Sequence, residues 1–493
     1  MFRTAARLVQ VNVTVMDSRG QPVTDLNAGD FTIRESGKPR EIALFGFEGG
    51  TSRAAPPRPL PPGVFSNQVQ FIGGPPRNVT ALILDMVNTS TRDNFFVRSQ
   101  VLNYLKKSHT SDTRLAIYVL SGDGLKTIAE FTEDADLLRS RLDQMVVSLP
   151  PVIPFRQDRI RRTLDALDAV GRHLEGIPGR KSVVWISGGF SVLDVSEIMG
   201  MGPHVSIDGI LEADVRNAAQ SLAQRGVALY IVSASGLRGG ARGDASARGV
   251  PPGSGTPLFN ALRRASEISN GLRGTMGMMA AITGGKDLSD TNDMAVGLKN
   301  AFDDLKAGYT LGFYAADADD KWHPLEVRVR RRGLTVRSRQ GWIAASEQRV
   351  AASTNTDAWR HAIEDPLGSS AILMSARCQP ESNEAAVTLE LILRIDANSV
   401  AFERDGDSFV SSLDVVTVDR TADGGLRPFT QRVTVEWDDK RLAVGRTQGI
   451  VYVRKWNPQA DVTAIRVIVR DRHTGKYGTL DMPMSSVLAA GSN

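Results

Sequence analysis

The sequence predicts an α/β protein in which a mainly parallel sheet flanked by helices lies between an N-terminal β unit and a C-terminal antiparallel β-sandwich. Three observations lead to this fold class. Apolar and polar residues alternate through residues 1–50, as they do in half-buried strands. Apolar strands alternate with amphipathic helices through residues 78–345, which predicts a parallel sheet covered on both faces. Short strands separated by Asp and Gly turns return in residues 355–493.

The N-terminal β unit spans residues 1–50. Its first strand, LVQVNVTV, alternates strictly, and turns are predicted at Ser18-Arg19-Gly20 and at Ser36-Gly37. We expect three or four strands here, packed on the α/β domain. The next segment, residues 51–77, is rich in Pro and Gly and is predicted to be a linker.

The central domain spans residues 78–345. Its first strand, VTALILDMV, is almost continuously apolar, which is typical of a strand buried on both faces. A chain of 493 residues is too long for one hydrophobic core, so further domains are expected around this one. Residues 235–256 interrupt the domain with Gly, Arg and Pro, and we expect this insertion to be mobile.

Residues 355–493 are predicted to form an antiparallel β-sandwich of immunoglobulin or fibronectin type. The prediction rests on strands at near-regular spacing, separated by Asp and Gly turns. Cys378 is the one cysteine of the chain. A single cysteine excludes an intrachain disulfide and any cysteine-based zinc site.

The charge of the chain is nearly balanced, with a formal net charge of +4, so no global field favours nucleic acid. Several arginines alternate with Val and Leu, which predicts a solvated edge strand rather than a polyanion site. No apolar run reaches the roughly 18 to 20 residues that a membrane helix needs. We therefore expect neither a nucleic acid partner nor a membrane span. The arginines are Arg328, Arg330, Arg331, Arg332, Arg337 and Arg339.

The stretch LILDMVNTSTRD, residues 82–93, carries the candidate functional site. An apolar strand ends at Asp85, and Asn88, Thr89 and Ser90 follow at once. A buried strand that ends on carboxylate, amide and hydroxyl oxygens presents the ligands that hard cations prefer. The same carboxylate is equally suited to accept hydrogen bonds from backbone amides at the strand end.

This stretch resembles the metal site of the von Willebrand factor A (VWA) family, in which a strand ends in Asp-x-Ser-x-Ser and a loop Thr and a second Asp complete a magnesium site. Asp85 matches the first Asp, Thr89 stands in for the second Ser, and Val87 replaces the first Ser with a side chain that is not a ligand. Ser187 stands where the second Asp belongs, and Thr163 corresponds to the loop Thr. The resemblance implies a VWA-type fold and a degenerate metal site.

A second resemblance covers most of the first 345 residues. Five motifs occur in the order typical of the acidobacterial VWA-related family, whose members carry a β preface and a degenerate Asp-x-x-Asn-Thr motif. Members commonly begin with an export signal, whereas this chain begins MFRTAARLVQ, without the apolar segment of a signal peptide. The resemblance implies an extracytoplasmic location if the start is truncated. The motifs are VNVTVMDSRGQPVTDLNAGDFTIRESGKPREI, LILDMVNT, GRKSVVWISGGF, DLKAGYTLGFY and LEVRVRRRGLTVRSRQGWIA.

Three functions follow as hypotheses. We predict a non-enzymatic protein-binding or adhesion-type scaffold with a degenerate metal-ion-dependent adhesion site, a protein partner, and no cofactor or weakly bound Mg²⁺. The alternative is a working magnesium site at Asp85, Asn88 and Thr89 that recruits a carboxylate from the partner. A hydrolase that uses Asp85 as its base is the third, although the sequence offers no second catalytic group. Ser90 and Ser187 are candidate binding residues, and the oligomeric state is left open.

Overall fold

The structure is a computed structural model, and its helices and strands are numbered in chain order. It describes residues 7–49, 60–61, 63–68, 78–107, 114–145, 153, 156–188, 208–234, 274–289, 293–305, 307–315, 319, 321–343, 362–363, 365, 367–381 and 387–489. The insertion expected at 235–256 lies outside these residues, as does most of the segment 51–77.

The strands before and inside the α/β domain are β1 (Arg7–Met16), β2 (Phe31–Glu35), β3 (Lys38–Arg40), β4 (Leu44–Gly49), β5 (Val64–Ser66), β6 (Asn78–Asp85), β7 (Arg114–Ser121), β8 (Gly124–Thr132), β9 (Arg180–Ser187), β10 (Val227–Ser233) and β11 (Lys286–Asp287). Those that follow are β12 (Ala307–Ala315), β13 (Trp322–Val329), β14 (Thr335–Ser338), β15 (Gly341–Ile343), β16 (Met374–Glu381), β17 (Thr388–Ile395), β18 (Glu403–Asp405), β19 (Ser408–Thr421), β20 (Leu426–Trp437), β21 (Ile450–Trp456), β22 (Val462–Asp471) and β23 (Tyr477–Pro483). The helices are α1 (Thr91–Lys107), α2 (Ala135–Asp143), α3 (Arg156–Glu175), α4 (Asp208–Gln224), α5 (274–283), α6 (Met294–Leu305), α7 (Asp439–Gln448) and α8 (Met484–Ala489).

The central domain has the mixed α/β fold that the sequence predicts. Its sheet has the order β11-β10-β9-β6-β7-β8, and neighbouring strands are parallel except for β7 and β8. Helices α3, α4 and α5 share a core with one face of the sheet. Helices α1, α2 and α6 share a second core with the other face. Successive residues of β6, such as Leu82 and Ile83, enter opposite cores, as the alternation of a strand requires.

The N-terminal strands pair with strands that follow the α/β domain, which the sequence analysis did not anticipate. One sheet has the order β14-β1-β12-β4 and the other β15-β13-β2-β3. Phe31, Tyr309 and Phe313 lie in the core between the two sheets. In sequence, the α/β domain is therefore inserted between the two parts of a first β-sandwich. Local alternation predicts each strand but carries no information about a partner some 300 residues away.

The C-terminal residues form two antiparallel sheets around one core. The first sheet has the order β21-β17-β16-β5, and the second has the order β18-β19-β22-β23 with β20 also paired to β19. Leu391, Val415 and Val467 lie in the shared core. The immunoglobulin or fibronectin class expected for this unit stays a prediction.

Strand β5 belongs to this C-terminal unit, although it lies within the segment 51–77 for which a linker was expected. Val64–Ser66 pairs with Ser375–Arg377 of β16, and Phe65 packs against the shared core. Asn67 accepts a hydrogen bond from the Met374 amide at 2.7 Å and donates to the Ile372 carbonyl at 2.9 Å. A three-residue strand between Pro and Gly is too short to produce a readable alternation, so composition alone predicts a linker there.

The arginine cluster after residue 327 is not uniformly a solvated edge. Strand β13 lies between β15 and β2, so it is not an edge strand. Arg328 and Arg331 are exposed and form ion pairs with Glu326 and Asp25, as charges on a solvated surface do. Arg339 is buried and donates to two backbone carbonyls, which contradicts the solvent-facing position expected for it.

Within the described ranges, no helix combines the length and the apolar character required to cross a membrane.

Candidate functional site

The candidate site lies where the strand order of the central sheet reverses. After β6 the chain adds β7 and β8 on one side of β6, and later adds β9, β10 and β11 on the other. A crevice forms at such a point, outside the carboxyl ends of the two central strands. Asp85 ends β6 and Ser187 ends the neighbouring β9, so the topology brings these two side chains together.

The first oxygen of the Asp85 carboxylate closes the turn that follows its own strand. Oδ1 accepts hydrogen bonds from the backbone N–H groups of Val87 and Asn88, each at 3.0 Å. This arrangement resembles an Asx-turn, in which a short carboxylate replaces the backbone acceptor that a strand end lacks. Val87 therefore contributes its amide to the site, and its apolar side chain packs against the neighbouring core.

The second carboxylate oxygen of Asp85 accepts three further hydrogen bonds. They come from Asn88 Nδ2 at 2.8 Å, Ser187 Oγ at 2.8 Å and Trp185 Nε1 at 3.1 Å. Together with the two amides this gives five donors, whereas a carboxylate offers about four lone-pair sites. Donors of the protein itself thus saturate the one carboxylate among the candidate metal residues.

Asn88 joins two of the residues that were expected to be metal ligands. Its Nδ2 lies 2.8 Å from Asp85 Oδ2 and 2.8 Å from Thr163 Oγ1. Thr163 in turn donates its hydroxyl to the Arg159 carbonyl at 2.9 Å. Because a carboxylate accepts hydrogen bonds, the Asn88 amide must direct its NH₂ group, not its oxygen, at Asp85. Asn88 is therefore a donor between two oxygens in this structure, and its role as a metal ligand stays a prediction.

Thr89 and Ser90 have separate structural roles. Thr89 Oγ1 accepts the Gly188 N–H at 2.9 Å and so joins the turn after β6 to the turn after β9. A Cβ atom at Gly188 would lie 2.5 Å from the Asn88 carbonyl oxygen, so this close approach requires glycine. Ser90 is exposed and lies just before α1, where its hydroxyl bonds both the amide and the carboxylate of Asp93. Ser90 is not part of the hydrogen-bond group around Asp85 that is described above.

The electrostatics of the site follow from its burial. Asp85 is only 2% exposed, and burial raises the pKa of its carboxyl above the ordinary value. The hydrogen bonds from Asn88, Ser187 and Trp185 act against this shift and lower the pKa. Among the described residues, no group of three or more His, Cys, Asp or Glu side chains is arranged to hold a metal ion. Around Asp85 the structure thus assembles donors and neutral oxygens, with one carboxylate.

Sequence reasoning brought Asp85, Asn88, Thr163 and Ser187 to one place but missed Trp185. Trp185 is fully buried and stands two residues before Ser187 on the same strand. Because side chains two apart share one face of a strand, a signal for Trp185 was present in the motif VVWIS.

Comparison with known proteins gives a weak likeness of fold. No family model and no curated protein matches the chain. An aerotolerance-related membrane protein from Bacteroides fragilis is 13% identical, with a TM-score of 0.28 over 46% of this chain and 99% of that chain. The SpRpn10 VWA domain is 14% identical, with a TM-score of 0.21 over 32% of this chain and 74% of that chain. Both TM-scores are below 0.5, so neither likeness says anything about the function of this chain.

Proposed function

We propose that this chain is a non-enzymatic, protein-binding scaffold whose VWA-type domain carries a degenerate metal-ion-dependent adhesion site. The observation that carries the proposal is the saturation of Asp85 by five donors of the chain itself. A cation would have to displace Asn88 Nδ2 and leave several buried donors without an acceptor, which is costly. The VWA-type assignment is supported by the strand order of the central sheet and by the resemblance of the motif around Asp85.

The charge at the site supports a metal-independent role. Mg²⁺ requires near-octahedral oxygen ligands and gives up its waters reluctantly, so it binds weakly to one carboxylate with neutral oxygens. Ser187 supplies a hydroxyl where the resemblance implies a second carboxylate, and this hydroxyl donates to Asp85. The hydrogen bond from Gly188 to Thr89 joins the carboxyl ends of β6 and β9, and this edge of the sheet is the surface we assign to a protein partner.

Calorimetric titration of the full chain with MgCl₂ and MnCl₂ tests the proposal. We expect dissociation constants no tighter than about 1 mM, in keeping with the ligand count. Asp85→Ala is expected to lower the free energy of unfolding by about 1–3 kcal/mol, because it leaves buried donors unpaired. It should leave weak metal binding unchanged. Micromolar binding that disappears in Asp85→Ala would instead establish the magnesium-dependent adhesion function.

A further inference from the structure

One edge of the C-terminal sandwich is formed by strand β21. This strand ends the order β21-β17-β16-β5, and within the described part of the chain it pairs with β17 alone. Its other side therefore presents backbone N–H and C=O groups with which a further strand can pair. On the outer face of β21, Val451 and Val453 are 53% and 52% exposed. Apolar side chains on such an edge favour pairing with another chain.

Arg454 lies on the inner face of the same edge strand. Ile450 and Tyr452, which precede it at two-residue spacing, lie in the core of the sandwich. The Cζ atom of Arg454 is 3.9 Å from the centroid of the Phe429 ring on β20 and 4.6 Å from the ring of Trp456. The guanidinium thus packs against two aromatic rings, which restricts the orientation of its plane.

The N–H groups of Arg454 are available to a ligand. Among the residues that the structure describes, none accepts a hydrogen bond from this half-buried guanidinium. Burial lowers the pKa of Arg454, and Asp419 of β19 attracts its charge without forming an ion pair with it. On the neighbouring edge strand β20, by contrast, Arg427 already binds Asp461 through two hydrogen bonds at 2.8 and 2.7 Å.

An inward-facing charge on an edge strand selects among the strands that can pair with it. A strand with an apolar residue opposite Arg454 would cover the guanidinium and leave its N–H groups unpaired, which is costly. Asp or Glu at that position can accept two parallel hydrogen bonds, because the Cβ atoms of directly opposite residues lie about 4.5–5.5 Å apart. The edge therefore rejects neutral strands and favours an acidic one.

We propose that β21 binds an extended segment of a partner protein that carries Asp or Glu opposite Arg454. The segment pairs with the backbone of β21, and its carboxylate contacts the guanidinium. Its residues opposite Val451 and Val453 face the outer side, where β-branched side chains pack best. This surface lies on the C-terminal unit and goes beyond the function proposed for the Asp85 site.

Peptides selected on the full chain test the proposal. A phage-displayed library of short random peptides is selected on the full chain and counter-selected on Arg454→Met. We expect the enriched peptides to carry Asp or Glu beside β-branched residues. In the synthetic peptide, replacing this acid by its amide should weaken binding about tenfold or more. The matched control, Arg432→Met, removes an exposed arginine from the neighbouring strand β20 and should leave binding unchanged.

Measurements on the unaltered chain keep the test decisive if Arg454→Met fails to fold. The replacement of acid by amide is made in the peptide alone and requires no variant of the protein. Methylation of every second backbone N–H of the peptide should abolish binding in one of its two registers and spare it in the other, because alternate N–H groups face β21.

Three outcomes would overturn the proposal. They are a selection that enriches no peptide, equal binding of the acid and amide peptides, and an equal effect of methylation in both registers. Each would leave Arg454 as a charge that keeps the edge of the sheet unpaired.

Discussion

Asn88 Nδ2 lies 2.8 Å from Asp85 Oδ2, so an amide donor lies next to the carboxylate that would hold the cation in a working magnesium site. The same nitrogen reaches Thr163 Oγ1 at 2.8 Å. An NH₂ group can donate one hydrogen to each of these two oxygens, of which only the Asp85 oxygen belongs to a charged group. It nevertheless satisfies both acceptors without the dehydration that a bound Mg²⁺ would require.

Asn88→Asp is expected to make the stability of the protein depend on a divalent cation. Two carboxylates at hydrogen-bond distance repel each other, and Asp85 also loses a donor. Without metal we therefore expect the free energy of unfolding to fall by about 1–3 kcal/mol. A second carboxylate beside Thr163 supplies the charge that Mg²⁺ or Mn²⁺ needs. Millimolar Mn²⁺ should therefore restore the melting temperature of this variant.

Asn88→Ala is the control for this experiment, because it removes the donor without adding a charge. It should lose stability to a similar extent and gain nothing from Mn²⁺. Equal responses of the two variants to Mn²⁺ would contradict the expectation.

The sequence predicts the features of the candidate site that depend on local pattern. It does not predict those that depend on tertiary packing. The position of Asp85 at a strand end follows from the apolar run before it, and the placement of Ser187 near it follows from the resemblance to the VWA motif. The second hydrogen bond of Asn88, to Thr163, could not be predicted in this way, because Thr163 lies 75 residues away and is brought close by packing. The pairing of β1 with β12 is likewise set by tertiary contacts, since many alternating strands are equally suited as partners.

Ser187→Ala is expected to cost more stability than Ser182→Ala, although both serines are buried on β9. Ser187 donates to a carboxylate, whereas Ser182 shares a hydrogen bond with the neutral Thr80 hydroxyl at 3.0 Å. Hydrogen bonds to charged groups contribute about 1.5–3 kcal/mol, and neutral ones about 0.5–1.5 kcal/mol. Urea denaturation of both variants measures the difference, and equal losses would argue against an ionised Asp85 in the folded protein.

Asn67→Ala is expected to destabilise the C-terminal unit, although Asn67 precedes that unit by some 300 residues. The side chain accepts from the Met374 amide at 2.7 Å and donates to the Ile372 carbonyl at 2.9 Å. Their loss should cost about 1–3 kcal/mol, because the two backbone groups lose their partner away from bulk water. Asn457→Ala, at an exposed position of the same unit, is the control for chemical denaturation. A loss no larger than that of the control would mean that β5 is not part of the cooperative unit.

Lys181 gives the chain a pH-dependent stability in the alkaline range. Burial lowers the pKa of this lysine from 10.5 to about 8, and the nearby Glu175 partly opposes the shift. Between pH 8 and 10.5 the unfolded chain binds more protons at this residue than the folded chain does. The free energy of unfolding should therefore rise with pH across this window, by about 3 kcal/mol or less.

Lys181→Met tests the direction of this pH dependence. The variant is expected to be more stable than the unaltered chain at pH 7, where folding has to bury a charged lysine, and the advantage should shrink as the pH approaches 10.5. The hydrogen bond from Lys181 Nζ to the Glu175 carbonyl at 3.2 Å is lost in the variant and reduces the gain at neutral pH by about 1 kcal/mol. Lys38→Met, at an exposed position, corrects for changes in net charge. Denaturant titrations at pH 7, 8, 9 and 10 measure the difference in the free energy of unfolding between the variants. A difference that does not change with pH would mean that Lys181 is solvated in the folded protein.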